Sequence, residues 1–256
     1  MDILVCVKRV PTTGGRINLT ADEQDIDTTY LGFTVSPHEE CAVEEAVRIV
    51  EAQGGSATVL TLGPASAEDQ LRDAMAVGCD AAILLETDGR EWGAMATADA
   101  IVDAVRAREA AGTAFDVLLF GHEAADTGDF QVGIRVAVAL GLPCVTGVKV
   151  LEVGDGRAVA RREADGGWEV FEVPLPAVVT VKEGINLPRY PSVPGRMRAR
   201  KKDIARTPPA WHAAGPEKIR LRVPVEAGSA VEVLGNGPAA APQVVEMLRR
   251  IGVLES

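Results

Sequence analysis

Phe115-Asp116-Val117-Leu118-Leu119-Phe120-Gly121-His122-Glu123-Ala124-Ala125-Asp126-Thr127-Gly128-Asp129-Phe130-Gln131-Val132-Gly133 joins an apolar run to a glycine-bearing polar loop and then to the start of a helical pattern. Phe115 to Phe120 reads as a strand buried on both faces, because it is continuously apolar rather than alternating. The pattern predicts a helix from Phe130 to Leu140. A buried strand, a loop and a helix in succession form one unit of a parallel sheet, and the unit recurs upstream. Ile3 to Val7 is a strand. Residues 11–35 form a long polar excursion. Ser36 can cap a helix, with Pro37 at its first position and Glu39 completing a capping box. That helix has Ala42, Val43, Ala46, Val47, Ile49 and Val50 on one face, a Glu44–Arg48 pair on the other, and Gly54-Gly55 as its stop. Ala57 to Leu62 is the next strand, and Ser66 can cap a helix running to about Val77. Ala81 to Leu85 is a third strand. It is followed by a helix from Ala94 to about Arg108, with Met95, Ala98, Ile101, Val102 and Val105 inward. Repeated units with short links predict an α/β fold, a mostly parallel sheet covered on both faces.

The regime changes after the strand expected at Pro143 to Leu151. Arg157 to Arg162 and Trp168 to Val173 flank Asp165-Gly166-Gly167 with period-two patterning, which reads as a hairpin. Val178 to Val181 is a further buried strand. It runs into Asn186-Leu187-Pro188-Arg189-Tyr190-Pro191-Ser192-Val193-Pro194, a stretch with three prolines in seven residues. Proline fixes φ and offers no backbone donor, so a stiff extended surface finger is expected here, neither helix nor interior strand. Such a finger loses little entropy on docking. Six cations follow (Arg196, Arg198, Arg200, Lys201, Lys202, Arg206) against Asp203 alone. They form either a solvated face or a patch that steers an acidic partner. Beyond residue 202 no strand–helix unit is expected. Residues 207–240 read as an extended arm, and Pro242 to Ile251 as one last short helix. The domain division is 1–222, including the loop 187–202, and a C-terminal arm 223–256.

Composition narrows the function classes. The chain has 256 residues, is 47% hydrophobic and only 4% aromatic, and carries a net charge of −11. An aliphatic core suits helices on a parallel sheet. The acidic balance argues against a nucleic-acid binder, which needs surplus Lys and Arg. Cys6, Cys41, Cys79 and Cys144 form no C-x-x-C pair, so reduced structural thiols are expected and no metal site. No apolar run reaches the ~20 residues of a membrane span. Residues 1–10 do not read as a leader. A soluble cytoplasmic protein is therefore expected.

Ligands of an open parallel sheet sit beyond the carboxyl ends of its strands. The loop Gly121 to Gly133 lies there, ahead of a helix N-terminus that favours phosphate. Asp126 and Asp129 could cap that helix or hold ribose hydroxyls. Cys6 with Lys8, the Ser36–Glu39 helix start and Leu62-Gly63-Pro64 share the same edge, giving a candidate mononucleotide pocket. Neither G-x-G-x-x-G nor a Walker motif occurs. His38, His122 and His212 lack ligand spacing, and no serine sits in an elbow motif, which leaves a nucleotide hydrolase weakly supported.

The chain resembles the electron-transfer flavoprotein β subunit over nearly its whole length. The likeness runs in order through Val5-Cys6-Val7-Lys8-Arg9-Val10, Ala42 to Ala46, Gly63-Pro64, Ala74 to Asp80, Asp126 to Gly133, Arg162 to Gly167 and Pro188-Arg189-Tyr190. The resemblance implies a doubly wound sheet of the Rossmann-like, adenine-nucleotide alpha-hydrolase type with a β-hairpin and an extended C-terminal arm. It implies an electron carrier rather than an enzyme, with no catalytic residues of its own. The carrier pairs with an α subunit and shares FAD with it. It takes electrons from acyl-CoA dehydrogenase-type donors in fatty acid oxidation and delivers them to a quinone oxidoreductase. AMP would be lined by Cys6, Ser36, Pro37, His38, Glu39, Leu62, Gly121, His122, Ala124, Asp126, Thr127, Gly128, Asp129, Gln131 and Val132. Partner contacts would come from Glu163, Arg189, Tyr190, Val193 and Pro194, with Val193 as the apolar anchor. Two departures stand out. Ser36-Pro37-His38 replaces an Asn-Pro-aromatic pattern, and Gln131-Val132-Gly133 is closer to the Fix-type, electron-bifurcating branch, in which a second FAD takes the AMP position. A stand-alone module resembling universal-stress-type proteins is the reading from another class.

Overall fold

The computed structural model describes residues 1–12, 14, 17–212, 215–224 and 232–254. The chain runs through β1 (Asp2–Cys6), β2 (Val10–Pro11), β3 (Phe33–Thr34), α1 (Pro37–Gln53), β4 (Ser56–Gly63), α2 (Glu68–Val77), β5 (Ala81–Glu86), α3 (Ala94–Ala110) and β6 (Val117–Gly121). It continues through α4 (Val132–Leu140), β7 (Cys144–Gly154), β8 (Arg157–Ala164), β9 (Gly167–Pro174), β10 (Ala177–Val181), α5 (Val193–Ala199), β11 (Ala205–Thr207) and α6 (Ala241–Arg250). Nine strands form one sheet in the order β11-β5-β4-β1-β6-β10-β7-β8-β9. All pairings from β11 to β7 are parallel, and β8 and β9 add antiparallel. The expected α/β class and hairpin are therefore present.

Alternation along β1 shows how both faces are filled. Ile3 and Val5 pack with α1 and α2 residues such as Val43, Ala46 and Leu71. Leu4 and Cys6 pack on the other face with Ile101, Val105 and Val136 of α3 and α4. From β1 the chain builds outward through β4 and β5, then returns to place β6 on the opposite side. The strand order reverses between β1 and β6, and Cys6 is in register with Phe120 at that point. The crevice beyond these two carboxyl ends is where this architecture holds ligands.

Several local expectations are corrected. Glu44 does not pair with Arg48 on an exposed face. It is buried at 4% exposure and bonded to Arg189, while Arg48 pairs with Glu45 at 3.5 Å. Ser66 caps no helix: a single 3₁₀ turn, Ala65–Ala67, leads into α2 without a side-chain cap. α4 begins two residues later than expected, at Val132. The finger is extended only to Ser192. The Ser192 hydroxyl then caps α5 by accepting from the Gly195 N–H at 3.1 Å, and Pro194 sits in the first turn, where its missing donor costs nothing. Past residue 202 the sheet gains one short strand, β11, which pairs in parallel with β5. Of the arm expected at 223–256, residues 225–231 and 255–256 lie outside the described residues. α6 carries no buried residue.

Candidate functional site

The switch point opens into a cavity of about 540 Å³, the size range of small-molecule sites. Its floor is the carboxyl ends of β1, β4 and β6, with Cys6, Leu60, Leu62 and Phe120. Its walls are the loop Gly121–Gln131, the N-terminal ends of α3 and α4, and Glu39 of α1. Gly215 to Lys218 also lines the cavity. That segment is fixed by Lys218, whose Nζ reaches Asp25 at 3.3 Å and Glu91 at 3.1 Å.

Glu39 organises the inner wall. Ser36 and Glu39 form both halves of the capping box. Glu39 Oε2 accepts from the Ser36 N–H at 2.9 Å, and Oε1 accepts from the Lys8 N–H at 2.8 Å. One carboxylate thus ties the start of α1 to the turn that follows β1. Gly121 lies directly against it: a Cβ there would stand 2.6 Å from Glu39 Cγ and 3.3 Å from Glu39 N. Burial pushes the Glu39 carboxyl up from its ordinary 4.5 to about 7, against the pull of its backbone donors. The folded state then holds a proton that the unfolded chain has released. Stability should fall as pH rises from about 4.5 to about 7, by roughly 3 kcal/mol in total. Urea melts of Glu39→Gln across that window are expected to lack this component. A slope equal to the parent's would assign it to another group.

The loop Gly121–Gln131 is closed by its own bonds. The Ala124 N–H donates to Asp129 O at 3.0 Å, and the Gly128 N–H to Ala124 O at 2.8 Å. Asp126 accepts from Lys8 Nζ at 2.7 Å and from the Thr127 N–H at 2.9 Å. Asp129 accepts from Thr127 Oγ1 at 3.2 Å and from Gln131 Nε2 at 3.0 Å. Neither aspartate caps α4, whose N-cap residue is Gln131 with no side-chain cap bond. No side chain caps the first N–H groups of α4, whose Val132 and Gly133 line the cavity.

His122 lines the cavity, and His38 stands next to it. His38 Nδ1 accepts from the Glu183 N–H at 2.8 Å, which requires that nitrogen to be unprotonated. His122 Nδ1 lies 3.0 Å from the Thr180 hydroxyl, which accepts from the Gly147 N–H at 3.0 Å. Burial lowers the pKa of both rings, and the cationic form of His38 lowers that of His122 further. The rings lie 6.5 Å apart, edge to face, and His122 packs against Phe130 at 5.0 Å. The Cys6 thiol is pushed up by burial and by the nearby Glu39 charge. It behaves as a packed hydrophobe, not a nucleophile.

Of the residues expected at the pocket, Cys6, Glu39, Leu62, Gly121, His122, Ala124, Thr127, Asp129, Gln131 and Val132 line it. Ser36, Pro37, His38, Asp126 and Gly128 do not line it: Ser36 is buried in the capping box, and Asp126 holds Lys8. Sequence reasoning missed the α3 side, where Trp92, Met95 and Thr97 complete the wall, and the Gly215–Lys218 segment. The turn residue Gly93 before α3 was the available signal for the first. The residues expected to meet partners lie elsewhere. Tyr190 and Val193 are 95% and 73% exposed. Pro194 is in the first turn of α5, and exposed Glu163 sits 4.0 Å from Lys182 Nζ. Arg189 is folded back onto α1. Among the described residues no cluster of His, Cys, Asp and Glu is arranged to hold a metal ion, and no helix is long and apolar enough to cross a membrane.

The family model of the electron transfer flavoprotein domain matches residues 25–210. The electron transfer flavoprotein subunit beta of Bacillus subtilis is 36% identical over 207 residues, 80% of this chain and 77% of the relative. That of Syntrophomonas wolfei is 34% identical over 251 residues, 97% of this chain and 96% of the relative. That of Megasphaera elsdenii is 31% identical over 226 residues, 86% and 83% of the two. With a parallel sheet, a cavity at its switch point and these relatives spanning most of its length, the chain belongs to the electron-transfer flavoprotein family, among its β subunits.

Proposed function

We propose that this chain is the β half of a heterodimeric electron carrier. It shares FAD with an α subunit, holds AMP in the switch-point cavity, and docks acyl-CoA or related dehydrogenases through the tip Tyr190–Val193. From there electrons pass to a quinone oxidoreductase. The observation that carries this reading is the exposure of Leu187, Tyr190, Val193 and Met197 around one tip. Large apolar side chains displayed together suit a protein partner. Bound FAD supplies the redox chemistry; this chain's residues supply position and charge. Residues 223–256 would pack on the α subunit, to which α6 and the following turn offer Val244, Val245, Ile251 and Val253. The reading places the protein in the cytoplasm, apart from nucleic acid and membrane.

AMP is supported by the uncapped start of α4, by Asp129 beside it as a ribose acceptor, and by Gly215–Lys218, which adds to the lining. A second FAD, as in the bifurcating branch, is favoured by Gln131-Val132-Gly133 and by the cavity's reach to Trp92 and Met95. Mass analysis of nucleotides released from the denatured heterodimer separates the two. One FAD and one AMP are expected. Two FAD would establish the bifurcating type, and no nucleotide beyond one FAD would remove the cavity's assigned role.

A further inference from the structure

The docking tip is a short segment held between two fixed points, and the first is unusually well built. Arg189 Nε and Nη2 meet both carboxylate oxygens of Glu44 at 2.9–3.1 Å, and the Arg189 N–H donates to Glu44 Oε2 at 3.1 Å. Nη1 and Nη2 meet the Glu51 carboxylate at 2.6 and 2.9 Å. One guanidinium therefore bridges two carboxylates nearly two helical turns apart on α1, a geometry that a lysine point charge cannot reproduce. These bonds hold the guanidinium charged well above its ordinary range and hold Glu51 below its own. Asn186 adds bonds to Cys41 O at 3.0 Å and to Glu45 at 2.9 Å. The second fixed point is Gly195, so close to α2 that a Cβ would stand 2.4 Å from Ala76 O. Tyr190 and Val193 lie between these points.

Glu44 matters because it is buried and has no other ion-pair partner among the described residues. A buried carboxylate on the face of α1 that holds the finger is costly unless paired. Its pairing here fixes a loop whose own side chains contribute little to the core.

We propose that Glu44 and Glu51 of α1 are positioning residues for partner docking: through Arg189 they pre-order the Tyr190–Val193 tip. This rests on the docking role assigned to the tip above. The ordering cost is met on folding, so association retains more of the contact energy. Loss of the clamp should weaken docking without altering electron transfer within the docked pair.

The test is a double-mutant cycle on the heterodimer with its FAD, using a reduced acyl-CoA dehydrogenase as donor. Glu44→Gln is expected to raise KM for the carrier roughly tenfold, with kcat within about twofold of the parent. Val193→Ala should raise KM in the parent but less than about threefold in the Glu44→Gln background, because a disordered tip gains less from its anchor. Effects that multiply, or a silent Glu44→Gln beside an effective Val193→Ala, would overturn the positioning role. A silent Val193→Ala in the parent would instead remove the docking reading itself. Should Glu44→Gln fail to assemble, Glu51→Gln, on the exposed end of the clamp, is expected to show the same non-additivity at smaller amplitude, and multiplying effects there would equally overturn the proposal.

Discussion

Gly121→Val, co-expressed with an α subunit, is expected to lose more than nine-tenths of its cavity nucleotide and to melt roughly 4–12 °C below the parent. The first branched carbon would stand 2.6 Å from Glu39 Cγ, 3.3 Å from Glu39 N and 3.4 Å from His38 Cβ. The side chain of Glu39 cannot swing aside, because both of its oxygens hold backbone N–H groups. The backbone nitrogen is the third residue of a capped helix and cannot move without undoing the cap. Strain must therefore pass to β6 or to the turn after β1, the two segments that floor the cavity. Calorimetry and nucleotide mass analysis of the same sample check both effects. Parent-like retention would mean that the cavity is not organised around this contact.

Val193→Ala is expected to slow electron acceptance from a dehydrogenase roughly 5- to 150-fold at limiting carrier, with FAD and AMP contents unchanged. Val193 is 73% exposed at the start of α5, beside exposed Tyr190 and Met197, and it does not line the nucleotide cavity. Its truncation removes apolar area from a docked interface at a cost of ~1–3 kcal/mol. Stopped-flow mixing of the heterodimer with a substrate-reduced dehydrogenase measures the rate directly. Parent-like rates would remove the anchor role.

The layers of the fold were legible because β1, β4, β6 and β10 are buried on both faces and read as apolar runs, broken only by the threonines of β4 and β10. The Ser36–Glu39 start was legible because a capping box is local chemistry. The errors have different causes. Glu44 looks like a surface residue by helical spacing, but it is buried and the chain returns to pair it with Arg189. The prolines of the finger argue against helix, yet Pro194 falls in the first turn of α5, where a proline is tolerated. β7 and β8 are joined at Asp155-Gly156, both with positive φ. That Asp-Gly pair was a hairpin signal in the sequence and went unread. At the cavity, strand-end rules found the Gly121–Val132 wall. The α3 wall was marked only by the turn residue Gly93, and the Gly215–Lys218 lining comes from a segment far away in the chain that no local pattern marks.

Co-expression with an electron-transfer flavoprotein α subunit, followed by gel filtration and flavin absorbance of the eluted peak, tests the central claim most directly. A one-to-one complex carrying FAD is the predicted result. A chain that elutes alone, colourless and without affinity for the α subunit, would contradict it.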